Sequence, residues 1–163
     1  PDPGQPLSAR ASARTLGPMG SKEDLLALMA SARAELTAVT DTLSGRMEKV
    51  ADADGNRVRD LLVHYAGWQR VGARRIGTRL KGGAIQPIEA DDYNPHMLAL
   101  GRQWSNDEAA WEFEDAYATL VEAVRAAPDE ECAPDGWAYR YAERTGGSHY
   151  GDHLPDLARL AGS

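Results

Sequence analysis

Apolar residues recur at helical spacing in long stretches of this chain, and turn signals separate them. The first stripe runs Leu25, Leu28/Met29, Ala32, Leu36, Val39 and Leu43, one apolar position every three or four residues. Ser21 stands just before it with Asp24 three residues later, the arrangement of a capping box. The spacing predicts an amphipathic helix over about residues 22 to 45, ending near Gly45. "DADGN" at 52 to 56 then reads as a turn. A second stripe follows: Val58, Leu61/Leu62, Tyr65, Trp68, Gly72, Ile76 and Leu80, stopped by Gly82-Gly83. Residues 83 to 93 show no period and read as a crossing loop.

"NPHMLALGRQW" predicts a further helix start, with Pro95 early enough that its missing N–H costs little. Ser105 or Asn106 caps a fresh helix with acids in its first turn, and Trp111, Phe113, Tyr117, Leu120/Val121 and Val124 carry its stripe to about Ala127. Pro128 ends it. Residues 128 to 147 read as loop, with Trp137, Tyr139 and Tyr141 alternating in a short strand or a packed lid. A final helix starts near Ser148. Four long helices, no convincing strand pair and no internal repeat predict an all-α bundle, one domain over residues 19 to 163. Long connections before the third and fourth helices argue against the simplest up-down topology. Residues 1 to 18 are rich in Pro, Gly, Ser and Ala and lack the apolar run of a signal peptide. They read as a flexible tail, foreign to the domain or upstream of a start at Met19.

Composition adds bounds. The chain has 163 residues, a net charge of −7 and a pI of about 5.1, a balance that does not suit phosphate neutralisation on nucleic acid. Arg70, Arg74, Arg75 and Arg79 do form a basic run on the second helix, read as a solvated face. No apolar run approaches the roughly 18 residues of a membrane span. A single cysteine, Cys132, excludes an intrachain disulfide and fits a cytoplasmic location. It sits among acids that would raise its thiol pKa, a poor setting for a nucleophile.

The candidate chemistry lies in the histidines. His149 and His153 are two of four in the chain, and at i and i+4 they share one helix face. The plain alternative is chance on a solvated helix. The spacing can also chelate one divalent ion, with a third ligand from elsewhere; His64 on the second helix is the natural choice. Three imidazoles would leave a coordination position open for acidified water or a polarised substrate. Zn, Ni and Fe all suit such a set. Pro155, two residues past His153, predicts a kink or a restart that would separate the pair. Asp152 and Asp156 read as exposed, or as acceptors for a ligand imidazole N–H. His96, at the expected third helix start, reads as a surface or capping residue, with an acid/base or extra-ligand role as the alternative. Tyr65, Trp68, Trp104, Trp111 and Tyr150 are the aromatics that could line a pocket.

"SKEDLLALM" from 21, "RVRDLLVHYAGWQ" from 57 and "SHYGDHLPDL" from 148 resemble the DinB-like superfamily, most closely its ClbS/DfsB branch. The second segment matches that branch's helix 2 through Val58, Arg59, Asp60, Leu61, Leu62, Gly67 and Trp68. The resemblance spans about residues 19 to 161. It implies a four-helix bundle of unusual connection order and a metal bound by His64, His149 and His153. It also implies a small-molecule enzyme, using metal-dependent hydrolysis or thiol or water addition against a reactive electrophilic metabolite, in detoxification or self-resistance. A low-molecular-weight thiol would be a co-substrate, and a homodimer is open. The alternative is a non-catalytic protein that sequesters a toxic natural product in the aromatic pocket.

Overall fold

The structure is a computed structural model and describes residues 20–47, 49–52 and 54–162, with the side chain of Asp156 left outside. The tail expected over residues 1 to 18, and Met19, lie outside the described residues. Among those described, six α-helices and no strand form the fold: α1 (Lys22–Leu43), α2 (Val58–Leu80), α3 (Ala90–Gly101), α4 (Asn106–Ala126), α5 (Trp137–Gly146) and α6 (Ser148–Gly162). No helix is long and apolar enough to cross a membrane.

The long helices begin where the caps predict. Ser21 accepts from the Asp24 N–H at 3.1 Å, and Asp24 accepts in return from the Ser21 N–H at 3.2 Å. Ser105, rather than Asn106, does the same for α4 with Glu108. At the start of α2 the Asp60 carboxylate, 1% exposed, accepts from the Arg57 N–H at 2.9 Å. The "VRDLL" stretch thus carries its own helix start. Past Leu80, Gly82 takes φ +70°, a left-handed conformation that costs glycine little.

Two expectations fail. The stretch 83 to 93 is not all loop: α3 starts at Ala90, with Asp91 and Asp92 in the first turn, so Pro95 lies inside the helix. The lost bond is the one to the Asp91 carbonyl, four residues back; Asp91 is exposed, so water can replace the donor. Residues 128 to 147 hold neither strand nor lid but a 3-10 turn (Asp129–Cys132) and α5. Alternating aromatics imitate a strand there. The buried face of α5 is instead made of small residues at helical spacing: Ala138, Ala142 and Thr145. The Cys132 thiol is buried against the Val124 carbonyl, and burial raises its pKa, as an inert cysteine requires.

The axis of the fold is α2. It packs most extensively on α4, then on α5 and α3, while α1 packs on α6 and α5. Residues 60 to 67 of α2 are all buried, so these turns of the helix are enclosed on every side. Two apolar clusters follow from that. Leu36, Leu61, Tyr65, Phe113, Tyr150 and Leu157 belong to one; Met29, Ile76, Leu120, Val124 and Ala142 belong to the other.

The corner between α5 and α6 is one residue, Gly147, whose N–H bonds the Glu143 carbonyl at 2.9 Å. A Cβ on Gly147 would stand 2.7 Å from that same carbonyl oxygen. Gly151, one turn into α6, has nothing within 4 Å of its would-be Cβ. Gly147→Ala is therefore expected to lower the unfolding free energy by about 1–3 kcal/mol. Gly151→Ala is expected to raise it by up to about 1 kcal/mol, the usual gain in a helix interior. Urea denaturation of the two variants checks both signs.

Candidate metal centre

α6 is continuous through Pro155, contrary to the expected kink or restart. The residue four positions before the proline is Gly151, whose side-chain face is open, and Pro155 itself is exposed. His149 and His153 therefore keep one face. Opposite them, α2 presents His64 from the interior, 2% exposed.

The three rings meet. His64 Nε2 and His149 Nε2 are 3.0 Å apart. Ring centroids lie 4.9 Å apart for His64 and His149, 5.5 Å for His64 and His153, and 5.8 Å for His149 and His153. One nitrogen from each falls within 4.8 Å of the others. Two nitrogens each about 2.0–2.1 Å from one zinc stand roughly 3 Å apart, so the residues fit a divalent ion with only the third nitrogen drawing closer.

Tyr65 forms the floor, with its ring 5.5 Å from His149 and 5.7 Å from His153. The rotation of α6 is pinned one residue from His149: the buried Gln69 side-chain amide on α2 donates to the Tyr150 hydroxyl. Burial pushes the Tyr150 hydroxyl pKa up, which keeps it neutral in that contact.

Electrostatics favour neutral imidazoles. Burial, then the neighbouring rings, pulls the His64 pKa down from 6.5 to about 3. Burial and His153 pull His149 down to about 4, with Asp152 opposing. Neutral imidazole is the form that binds metal. Without a metal, one of the two facing nitrogens carries the proton and donates to the other. Among the described residues His64 Nδ1 has no hydrogen-bond partner, so its tautomer is set by His149 and not by a carboxylate. Asp152 is exposed, as its first reading has it, and not an acceptor for a ligand imidazole; it reaches His149 only through its charge. The Asp156 side chain lies outside the described residues.

Other expected site residues scatter. His96 is exposed on α3 and takes no part in the cluster. The five aromatics do not form one pocket. Tyr65 and Tyr150 are core, at 0% and 1% exposure. Trp104 and Trp111 line a separate groove of about 380 Å³ with Asp107 and Glu108. Of the three tryptophans only Trp68 stands by the histidines, 6.1 Å from His149 between ring centroids, held by its N–H donating to Asn94 Oδ1 at 2.9 Å. It lines a cavity of about 650 Å³ that His149 and Asp152 also border, with Arg75, Arg140 and Arg144 on the wall. The α5 arginines escape a reading that takes 128 to 147 as loop. Their spacing of four, flanking Ala142, was the available signal.

The chain matches no family model, no curated protein and no solved structure.

The depressed pKa values fix a sign. Between about pH 6.5 and about pH 4 the unfolded chain protonates these histidines while the folded chain does not, so stability falls as pH drops through that window. In chelator-treated protein, the urea midpoint is expected to fall on going from about pH 7.5 to about pH 4.5. The fall should be clearly shallower in His64→Gln/His149→Gln. Equal slopes in the two proteins would contradict the assigned shifts.

Proposed function

We propose that this protein is a DinB-like, metal-dependent enzyme of the ClbS/DfsB type, acting on a small electrophilic metabolite. One observation carries the reading: three imidazoles from two helices converge, and one of them, His149, borders a cavity large enough for a small molecule. His64, His149 and His153 would hold the ion. A divalent ion so held supplies Lewis acidity, lowering the pKa of water or a thiol and polarising a substrate oxygen. The chain's own residues do the rest. Tyr65 and Tyr150 exclude water beneath the rings and hold α6 at its angle. Trp68 offers a flat apolar wall to the substrate. Asp152 is the one acid among the described lining residues and is placed to take a proton at the cavity rim.

Sequestration in an aromatic pocket has less support, because Trp104 and Trp111 line a different groove from Trp68. Protein purified without chelator is expected to carry about one equivalent of divalent metal, and His64→Ala and His149→Ala should each lower occupancy at least about tenfold. His96→Ala should leave it unchanged. Elemental analysis reads all four proteins, and absence of stoichiometric metal from the wild type, with no uptake of added zinc, nickel or iron, sinks the reading.

A further inference from the structure

The cavity beside the histidines has a charged wall that a neutral substrate would not need. Arg75 reaches it from α2, and Arg140 and Arg144 reach it one turn apart on α5. Against these three cations the described lining offers one acid, Asp152, in a chain whose net charge is −7. Three guanidiniums elsewhere find carboxylates. Arg33 pairs with Glu114, Arg70 with Glu112 and Asp115, and Arg125 with Glu122. Arg75, Arg140 and Arg144 form no ion pair among the described residues. The Arg75 guanidinium lies 5.7 Å from the Tyr141 ring centroid, and its buried Nε has no hydrogen-bond partner among the described residues. A buried donor left unmade costs stability unless something else fills it.

We infer that this wall is an oxyanion subsite: the cavity takes a small carboxylate- or phosphate-bearing ligand, its anionic end on Arg75, Arg140 and Arg144. A planar guanidinium fork matches either anion in two parallel hydrogen bonds. Trp68 and Tyr141 line the same cavity and would face the ligand's body, and His149 borders it as well. The anion site needs no metal; only the direction of the ligand's reactive end toward His149 rests on the proposed metal-dependent reading.

Calorimetric titration of the full chain in low-salt buffer tests it, with malonate and inorganic phosphate as separate probes and malonamide as the uncharged control. Chelator-stripped protein is expected to bind malonate or phosphate at one site and not malonamide; the preferred anion tells carboxylate from phosphate. Arg75→Gln, and separately Arg140→Gln/Arg144→Gln, should weaken binding about tenfold or more. The latter pair is exposed, so it carries the test if the Arg75 variant is poorly folded by circular dichroism. No binding of either anion, binding indifferent to the arginine changes, or binding seen only after zinc is added would overturn the subsite. Elemental analysis of protein purified without chelator judges the metal independently: if that protein carries no metal and takes none up, yet binds malonate through its arginines, the subsite stands and the enzyme reading falls.

Discussion

Everything around the candidate centre is arranged about one approach: two imidazole nitrogens, on helices 85 positions apart in the chain, held 3.0 Å from each other in a desolvated place. Two charged rings could not sit there. Burial and mutual repulsion force both to be neutral near pH 7, and neutral rings are what an ion needs. The approach in turn demands a stiff frame. α2 supplies it by being enclosed along the very turns that carry His64, and α6 is locked to α2 by the contact of Gln69 with Tyr150, one residue from His149. The tight corner at Gly147 sets where α6 begins.

The legible parts of this fold are those where local chemistry is self-sufficient. Ser21 with Asp24, Ser105 with Glu108 and the Gly82 stop each encode a helix end within four residues, and the structure follows them. The i, i+4 pair of His149 and His153 was legible for the same reason, and its union with His64 needed only the assumption that two helices face each other. What stayed hidden depends on partners far along the chain. α5 turns small residues inward and leaves Trp137, Tyr139 and Tyr141 half-buried, so its sequence shows the wrong period to anyone counting large apolar side chains. Pro155 reads as a break, but the helix runs on because packing of Tyr150 and Leu157 on either side holds it, and the exposed face absorbs the lost hydrogen bond.

The arginines show how tertiary placement divides a simple sequence run. Arg70, Arg74, Arg75 and Arg79 look alike as a basic face. Folded, Arg70 is clamped by Glu112 and Asp115 of α4, while Arg75, on another side of α2, enters the cavity that α5 closes. The first is a helix-to-helix tie. The second forms no ion pair among the described residues, and α5 adds two more cations to the same cavity.

Three polar residues are buried in α2, and comparing them isolates the one whose burial the fold does not explain. Asp60 accepts the backbone N–H of Arg57 and starts the helix. Gln69 ties α2 to Tyr150 on α6. Each offsets its desolvation with a contact that builds the bundle. Like Asp60 Oδ1 and Gln69 Oε1, His64 Nδ1 has no hydrogen-bond partner among the described residues, but the one polar contact His64 makes, through Nε2, is with another imidazole whose own burial is equally unfavourable to charge. A leucine at position 64 would fill the same space without that cost, as Leu61 and Leu62 do a turn away. Two histidines from α6 meeting a third at such a position cost the fold stability, and a bound ion is the occupant whose chemistry would repay it.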